Sequence, residues 1–210
     1  MRFAIARKAI KSKALVLTFD DGPSNRLTPA IINLLAKNDA KATFFLLGRN
    51  IAGREGIVRQ IAEQGYEICS HGYDHLHYWK VSPIRTIRDI KQGWDAIDAA
   101  LGSKRGKYPF RPPNGKLNLV SLLYLWAKKV PIIYWTVDSA DTWLVGKRNP
   151  HRCALMVKTA GGGITLAHDF DRLTNETDHY VLESLRLSLA AAKESGMQIC
   201  TVSQLVDIKR

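Results

Sequence analysis

The chain has 210 residues, of which 46% are hydrophobic and 24% are charged, as in a globular protein with a sizeable core. No apolar run approaches the ~20 residues of a membrane-spanning helix. Three widely spaced cysteines exclude a disulfide framework and a Cys-x-x-Cys zinc site. The formal charge of +12 indicates either a soluble basic surface or peripheral contact with an anionic membrane or polymer. No nucleic-acid-binding motif accompanies that charge, so we expect no specific nucleic-acid binding.

The N-terminal segment is basic but has neither an apolar stretch of signal-peptide length nor a small-residue cleavage site. We therefore expect a cytoplasmic protein, or an extracytoplasmic one if a leader has been removed.

Strand and helix patterns alternate along the chain. The first half predicts strand 14–19, a helix capped by Thr28, strand 42–47, helix 55–64, strand 66–70 and a long helix from Ser82 to Gly102. The second half predicts strand 107–111, a helix from Asn118 to Lys128, strand 132–137, a helix after Asn149–Pro150, strand 164–167, a helix capped by Thr177, strand 197–202 and a short terminal helix after Ser203. This alternation predicts one α/β domain over residues 1–210, built on a parallel sheet. Either a small incomplete barrel or a doubly wound open sheet fits the pattern.

Charged or metal-binding side chains follow five of the seven predicted strands. They are Asp20 and Asp21, His71 and His75, Arg111, Asp138 and Asp141, and His168 and Asp169. Each group alone has an ordinary structural explanation as a turn residue, a helix cap or a core histidine. Reacting groups gather at the carboxyl ends of strands in parallel α/β folds, so all five together favour a functional site.

Asp21, His71 and His75 form a carboxylate and imidazole set that suits one divalent ion with an open coordination position. Zinc is the first expectation, and cobalt, nickel or manganese are alternatives. Asp20 is expected to stay off the metal, because adjacent residues of an extended chain point to opposite sides.

The remaining polar residues have the roles that amide or ester hydrolysis needs. Asp20 would act as the general base toward water that the metal activates, with Arg111 holding its carboxylate ionised. His168 would protonate the leaving group, with Asp138 orienting its ring. Asp169 is the alternative partner, although its position next to His168 would turn it away.

The stretches TFDDG, the paired histidines of HGYDH, RPP, DSADTW and LAHD resemble, in order, the five motifs of the polysaccharide deacetylases, carbohydrate esterase family 4. The resemblance runs over residues 14–205. It implies a distorted, incomplete seven-stranded (β/α) barrel similar to a TIM barrel. It also implies metal-dependent removal of acetyl groups, N-acetyl of an amino sugar first, from an acetylated polysaccharide, oligosaccharide or saccharide precursor. The family roles fall on the same base, metal, acid and partner residues.

The resemblance further implies that Trp143 and Leu166 line an acetyl pocket, and that Asn114 stands near the place of a family aromatic residue. The chain departs from the family pattern at Gly72, Leu76 and Thr142. Three other functions stay open from the sequence: a catalytically idle carbohydrate-binding protein on this fold, a basic nucleic-acid-binding protein and an amidase for a non-sugar C–N bond.

Overall fold

The computed structural model describes residues 2–171 and 175–208. The helices are α1 (Arg2–Lys11), α2 (Leu27–Lys37), α3 (Gly48–Ile51), α4 (Glu55–Glu63), α5 (Pro83–Leu101), α6 (Leu119–Ala127), α7 (His151–Ala160), α8 (Glu176–Glu194) and α9 (Val202–Asp207). The strands are β1 (Ala14–Val16), β2 (Thr18–Asp20), β3 (Thr43–Leu46), β4 (Glu67–Ser70), β5 (Val137–Asp138), β6 (Gly163–His168) and β7 (Gln198–Ile199). Short 3₁₀ turns cover Pro113–Gly115 and Val145–Lys147.

All named strands pair in parallel, in the order β4-β3-β2-β6-β1-β7, and β5 pairs with β6. This confirms the predicted α/β fold with a parallel sheet. Isolated bridges join Ser70 to Phe110 and Phe110 to Ile132, where a regular fourth strand was predicted. The ladder is therefore interrupted between β4 and β5, which gives the distorted, incomplete form of a seven-stranded (β/α) barrel.

Successive side chains of the strands enter two different apolar layers. Phe44 packs outward under the helices, where its ring lies 5.3 Å from that of Phe19. Phe45 turns to the other face and joins Val16 and Ile164 in a second cluster. This alternation follows from the two-residue period of a strand, and it places the second cluster beneath the strand ends that carry the polar residues.

Helix α1 was not predicted from the sequence, although six of its ten residues are apolar. The helix contacts β1, β6 and α9, and its buried Ala9 belongs to the second apolar cluster. Among the described residues, no helix combines the length and apolar character that crossing a membrane requires.

The structure confirms two of the predicted helix caps and contradicts two others. Ser82 and Asn118 cap α5 and α6 as predicted, because each side chain accepts a hydrogen bond from the backbone N–H three residues later. The predictions for Thr28 and Thr177 were wrong. Both lie inside their helices, where Thr28 Oγ1 donates to Asp169 Oδ2 at 2.6 Å and Thr177 Oγ1 accepts from Arg148 at 2.7 Å. Tertiary contacts therefore use both hydroxyls in place of the caps.

Candidate active site

The structure brings Asp21, His71 and His75 together, although they follow two different strands. His71 Nε2 lies 3.5 Å from Asp21 Oδ1, and His75 Nε2 lies 3.7 Å from the same oxygen. One ligand atom from each residue lies within 4.8 Å of the other two. Asp21 adopts φ 71° and His75 adopts φ 56°, a left-handed conformation that costs energy for residues with a side chain. Such strain is typical of functional positions.

This cluster fits a divalent metal ion on the chemistry of its donors. Asp21 Oδ1 is buried and has no hydrogen-bond partner among the described residues, which leaves its lone pairs for a ligand. His71 Nδ1 donates to the carbonyl of Arg111 at 2.8 Å, so Nε2 carries the free lone pair on the side of Asp21. Burial lowers the pKa of His71 to about 3 despite the nearby carboxylate, which keeps the ring neutral, as ligation requires.

The loop between the two histidines is held by Asp89, a residue of α5 that no sequence pattern marked as functional. Its carboxylate accepts from the backbone N–H of Tyr73 at 3.0 Å, that of Asp74 at 2.8 Å and the hydroxyl of Tyr78 at 2.6 Å. Gly72 has φ 86°, and a Cβ there would lie 2.5 Å from Asp89 Oδ2. The departure from the family pattern at Gly72 therefore has a structural reason, because the Asp89 carboxylate occupies the space of a side chain.

Asp20 is buried and pairs with Arg111, which is itself fully buried. Arg111 Nη1 lies 2.6 Å from Asp20 Oδ1 and 2.7 Å from Thr18 Oγ1, while its guanidinium carbon lies 4.0 Å from the centre of the Phe45 ring. Burial raises the pKa of Asp20, and the Arg111 guanidinium opposes that shift. The second oxygen, Asp20 Oδ2, lies 3.9 Å from His71 Nε2. One oxygen thus binds Arg111 and the other faces the cluster of Asp21, His71 and His75.

His168 is held by Asp141, and the prediction that Asp138 orients its ring is wrong. His168 Nδ1 lies 3.0 Å from Asp141 Oδ1, and the backbone N–H of His168 donates to Asp141 Oδ2 at 3.2 Å. Asp138 Oδ1 instead accepts from the N–H of Ala140 at 2.8 Å, within the turn after β5. Burial disfavours the protonated ring, but the carboxylates of Asp141, Asp20 and Asp21 together outweigh burial and raise the pKa of His168 to about 9. At that pKa the His168 ring carries a proton at neutral pH.

Asp169 faces away from His168, as predicted for adjacent residues at the end of a strand. Its Oδ2 accepts from Thr28 Oγ1 at 2.6 Å, and its backbone N–H donates to the carbonyl of Asp20 at 3.0 Å. A Cβ on Gly22 would lie 2.3 Å from Asp169 Oδ2, so only glycine fits opposite this carboxyl group. Burial raises the pKa of Asp169 to about 7. This residue braces the loop that carries Asp21.

A cleft of about 380 Å³ opens beside Asp21 and His75. Its other lining residues are Pro23, Leu47, Arg49, Asn50, Arg54, Phe170 and Asp171. This combination of an aromatic ring, an amide and charged groups suits a saccharide.

The three residues predicted to bind substrate lie outside the lining of this cleft. Trp143 is partly exposed and carries the Arg152 guanidinium over its ring at 5.0 Å, and Leu166 is buried. Asn114 is exposed, with Nδ2 at 3.4 Å from His77 Nδ1. Their contact with a substrate stays a prediction.

Comparison with known proteins gave consistent matches. The family model described as polysaccharide deacetylase matches residues 7–130. A peptidoglycan-N-acetylglucosamine deacetylase of Bacillus cereus is 31% identical over 207 residues, which cover 94% of this chain and 90% of the relative. The peptidoglycan-N-acetylglucosamine deacetylase PgdA of Listeria monocytogenes is 30% identical over 200 residues, which cover 94% of this chain and 40% of PgdA. The chain thus spans less than half the length of PgdA.

Solved structures share the fold. The crystal structure of the peptidoglycan N-acetylglucosamine deacetylase Bc1960 superposes with a TM-score of 0.82 at 26% identity, over 93% of this chain and 89% of that one. BA3943 of Bacillus anthracis, a pseudoenzyme of carbohydrate esterase family 4, superposes with a TM-score of 0.77 at 26% identity, over 93% of this chain and 66% of that one.

Proposed function

Because the chain belongs to the polysaccharide deacetylase family, we propose that it is a metal-dependent hydrolase that removes the N-acetyl group from an amino sugar of a glycan or saccharide precursor. Residues 1–210 would act as one catalytic domain. The observation that carries the proposal is the cluster of Asp21, His71 and His75 around a buried carboxylate oxygen without a hydrogen-bond partner. A divalent ion, zinc first and cobalt, nickel or manganese as alternatives, would polarise the acetyl carbonyl and lower the pKa of water.

Asp20 is suited to take the proton of the attacking water. Arg111 Nη1 lies 2.6 Å from one of its oxygens, and the other oxygen is directed toward the proposed metal ligand His71. The guanidinium charge favours the ionised carboxylate that a base needs, against the effect of burial.

His168 is suited to deliver a proton to the nitrogen that leaves. The C–N bond of the acetamide breaks as that nitrogen is protonated, which gives acetate and the free amine of the sugar. Asp141, at 3.0 Å from Nδ1, stabilises the charged ring before the transfer. The two charge pairs, Asp20 with Arg111 and His168 with Asp141, thus serve opposite proton transfers.

The substrates named for the relatives support a peptidoglycan or related glycan as the substrate class. Peptidoglycan lies outside the cytoplasm, so these names favour the extracytoplasmic location over the cytoplasmic one. The pseudoenzyme among the structural neighbours shows that this fold also exists without activity. In this chain Asp20, Asp21, His71 and His168 are all present at one site, which argues against an inactive protein.

The test is release of acetate from N-acetylglucosamine oligomers and from peptidoglycan, before and after treatment with a chelator and after zinc is returned. His71→Ala should abolish release, whereas His179→Ala, which changes an exposed histidine on α8, should leave it unchanged. Release that survives both the chelator and His71→Ala would refute the proposal.

A further inference from the structure

Helix α6 turns an apolar stripe toward solvent. Leu119, Leu122, Leu123 and Trp126 stand at positions i, i+3, i+4 and i+7, which form one face of a helix. Their exposed fractions are 69%, 43%, 52% and 69%, respectively. A surface helix normally packs such a stripe against its own core. We refer to these four residues as the α6 stripe.

Contacts on the opposite side of α6 fix this orientation. Ser121 and Leu125 are the buried residues of the helix. Asn118 caps the helix, and its amide donates to the carbonyl of Tyr78 at 2.8 Å and to Thr86 Oγ1 at 3.0 Å. Because these bonds tie the start of α6 to the site loop and to α5, the α6 stripe cannot turn inward without breaking them.

Basic side chains stand at both ends of the α6 stripe. Lys116 precedes the helix and Lys128 and Lys129 follow it, and all three are exposed. The sequence between Asp98 and Asp138 contains seven basic residues and no acidic one. An apolar centre with cations at its rim is the pattern of surfaces that lie on anionic lipid headgroups.

The acidic residue Asp95 of α5 lies on a different side of α6. Burial and the Asp95 carboxylate together raise the pKa of Tyr124. The Tyr124 ring stacks on Trp94 of α5, with ring centres 6.3 Å apart. This carboxylate therefore faces the seam between the two helices, and the α6 stripe keeps its basic surroundings.

The same surface reaches the loop that carries the metal-binding histidines. Trp79, which is 38% exposed, lies with its ring centre 4.6 Å from Lys116 Nζ. Its ring also packs edge-on against His77, at 5.0 Å, and His77 is two residues from His75. Docking through α6 would therefore place the mouth of the site close to the docked surface.

We infer that the α6 stripe, with Lys116, Lys128 and Lys129, docks the protein on the headgroup region of a bilayer that contains anionic lipid. The leucines and Trp126 would enter the interface, and the lysines would meet lipid phosphates. A second copy of the chain is a poorer occupant, because a two-fold contact would bring two basic rims together on molecules of charge +12. Docking does not depend on the proposed hydrolysis.

The test is co-sedimentation of the full chain with vesicles of phosphatidylcholine alone, or with equal parts of phosphatidylglycerol. The wild type should bind the anionic vesicles and lose affinity as salt rises. Leu119→Ser/Leu123→Ser/Trp126→Ser should weaken binding by at least about tenfold. Leu155→Ser, which removes an exposed leucine on α7, is the matched control and should bind as the wild type does.

A second variant keeps the test independent of how well the serine variant folds. Lys128→Gln/Lys129→Gln should also weaken binding to anionic vesicles and reduce its salt dependence. The inference is overturned if the wild type does not prefer anionic vesicles, or if both variants bind as it does. It is equally overturned if the wild type does not bind vesicles and forms a dimer by analytical ultracentrifugation, whereas the serine variant is a monomer. That result would show that the α6 stripe contacts a second copy of the chain.

Discussion

His168 Nδ1 lies 3.0 Å from Oδ1 of Asp141, a carboxylate that is completely buried. Ser139 Oγ also donates to that oxygen at 2.8 Å, which fixes the carboxylate in one orientation. Asp141 reaches His168 because the turn after β5 passes through Ala140 at φ 63° and brings the chain back toward β6. A buried, oriented carboxylate against Nδ1 holds the His168 ring in one orientation.

Asp141→Asn should move the alkaline limb of the kcat–pH profile to lower pH. Among the carboxylates that raise the pKa of His168 to about 9, Asp141 contributes most, so without Asp141 the ring loses its proton at a lower pH. The pair's contribution to stability is fully present below about pH 6.5 and is lost as pH rises through about 9, so the variant should be less stable at neutral pH. Urea unfolding at several pH values and a pH–rate profile measure both effects. Asp138→Asn is the control, and an alkaline limb shifted by Asp138→Asn alone would contradict this assignment.

Asp20→Asn should keep the metal and lose about 10²–10⁴-fold in kcat, the usual contribution of a general base. The amide cannot accept the water proton, but Asp21, His71 and His75 are unchanged. Zinc content by atomic absorption, together with acetate release, separates the two properties. A variant that turns over normally would require a different base.

Zinc should bind at about one ion per chain. His71→Ala should weaken zinc affinity by more than about 100-fold, because the loss of a direct ligand costs more than the loss of a residue that only hydrogen-bonds to a ligand. The low pKa of His71, about 3, means that no proton has to leave this ring at neutral pH. Isothermal titration calorimetry in buffers of different ionisation enthalpy measures both affinity and proton release. Equal affinity in His71→Ala and the wild type would place the ion elsewhere.

Gly72→Ala should destabilise the protein far more than Gly53→Ala. Both glycines have a positive φ, so each alanine costs about 1–2 kcal/mol of backbone strain. A Cβ at Gly53 meets nothing within 4 Å, whereas at Gly72 it would lie 2.5 Å from Asp89 Oδ2 and 2.6 Å from the Tyr78 hydroxyl. Urea unfolding should show the larger loss for Gly72→Ala, with weaker zinc binding as the loop shifts. Equal losses for the two variants would show that the Asp89 contacts do not hold the loop.

Helix α6 shows how far the sequence predicts the surface. The sequence predicts a helix from Asn118 to Lys128, and Asn118 was correctly predicted as its cap. Residues 119–126 are apolar except for Ser121, so the sequence does not indicate which side of the helix faces solvent. Here Asn118 bonds to Tyr78 and Thr86, and the stripe is left outside.

The sequence by itself determined the parallel α/β fold and the residues at its strand ends. Alternating patterns show where strands stop, and the carboxyl ends of parallel strands lie at one edge of the sheet. The sequence alone therefore groups Asp20, Asp21, His71, Arg111 and His168. Only the tertiary structure decided that Asp141, and not Asp138, holds His168, and that Asp89 holds the histidine loop. Those choices depend on turn conformations and on helices distant along the chain. Side-chain contacts across such separations leave no periodic trace in the sequence.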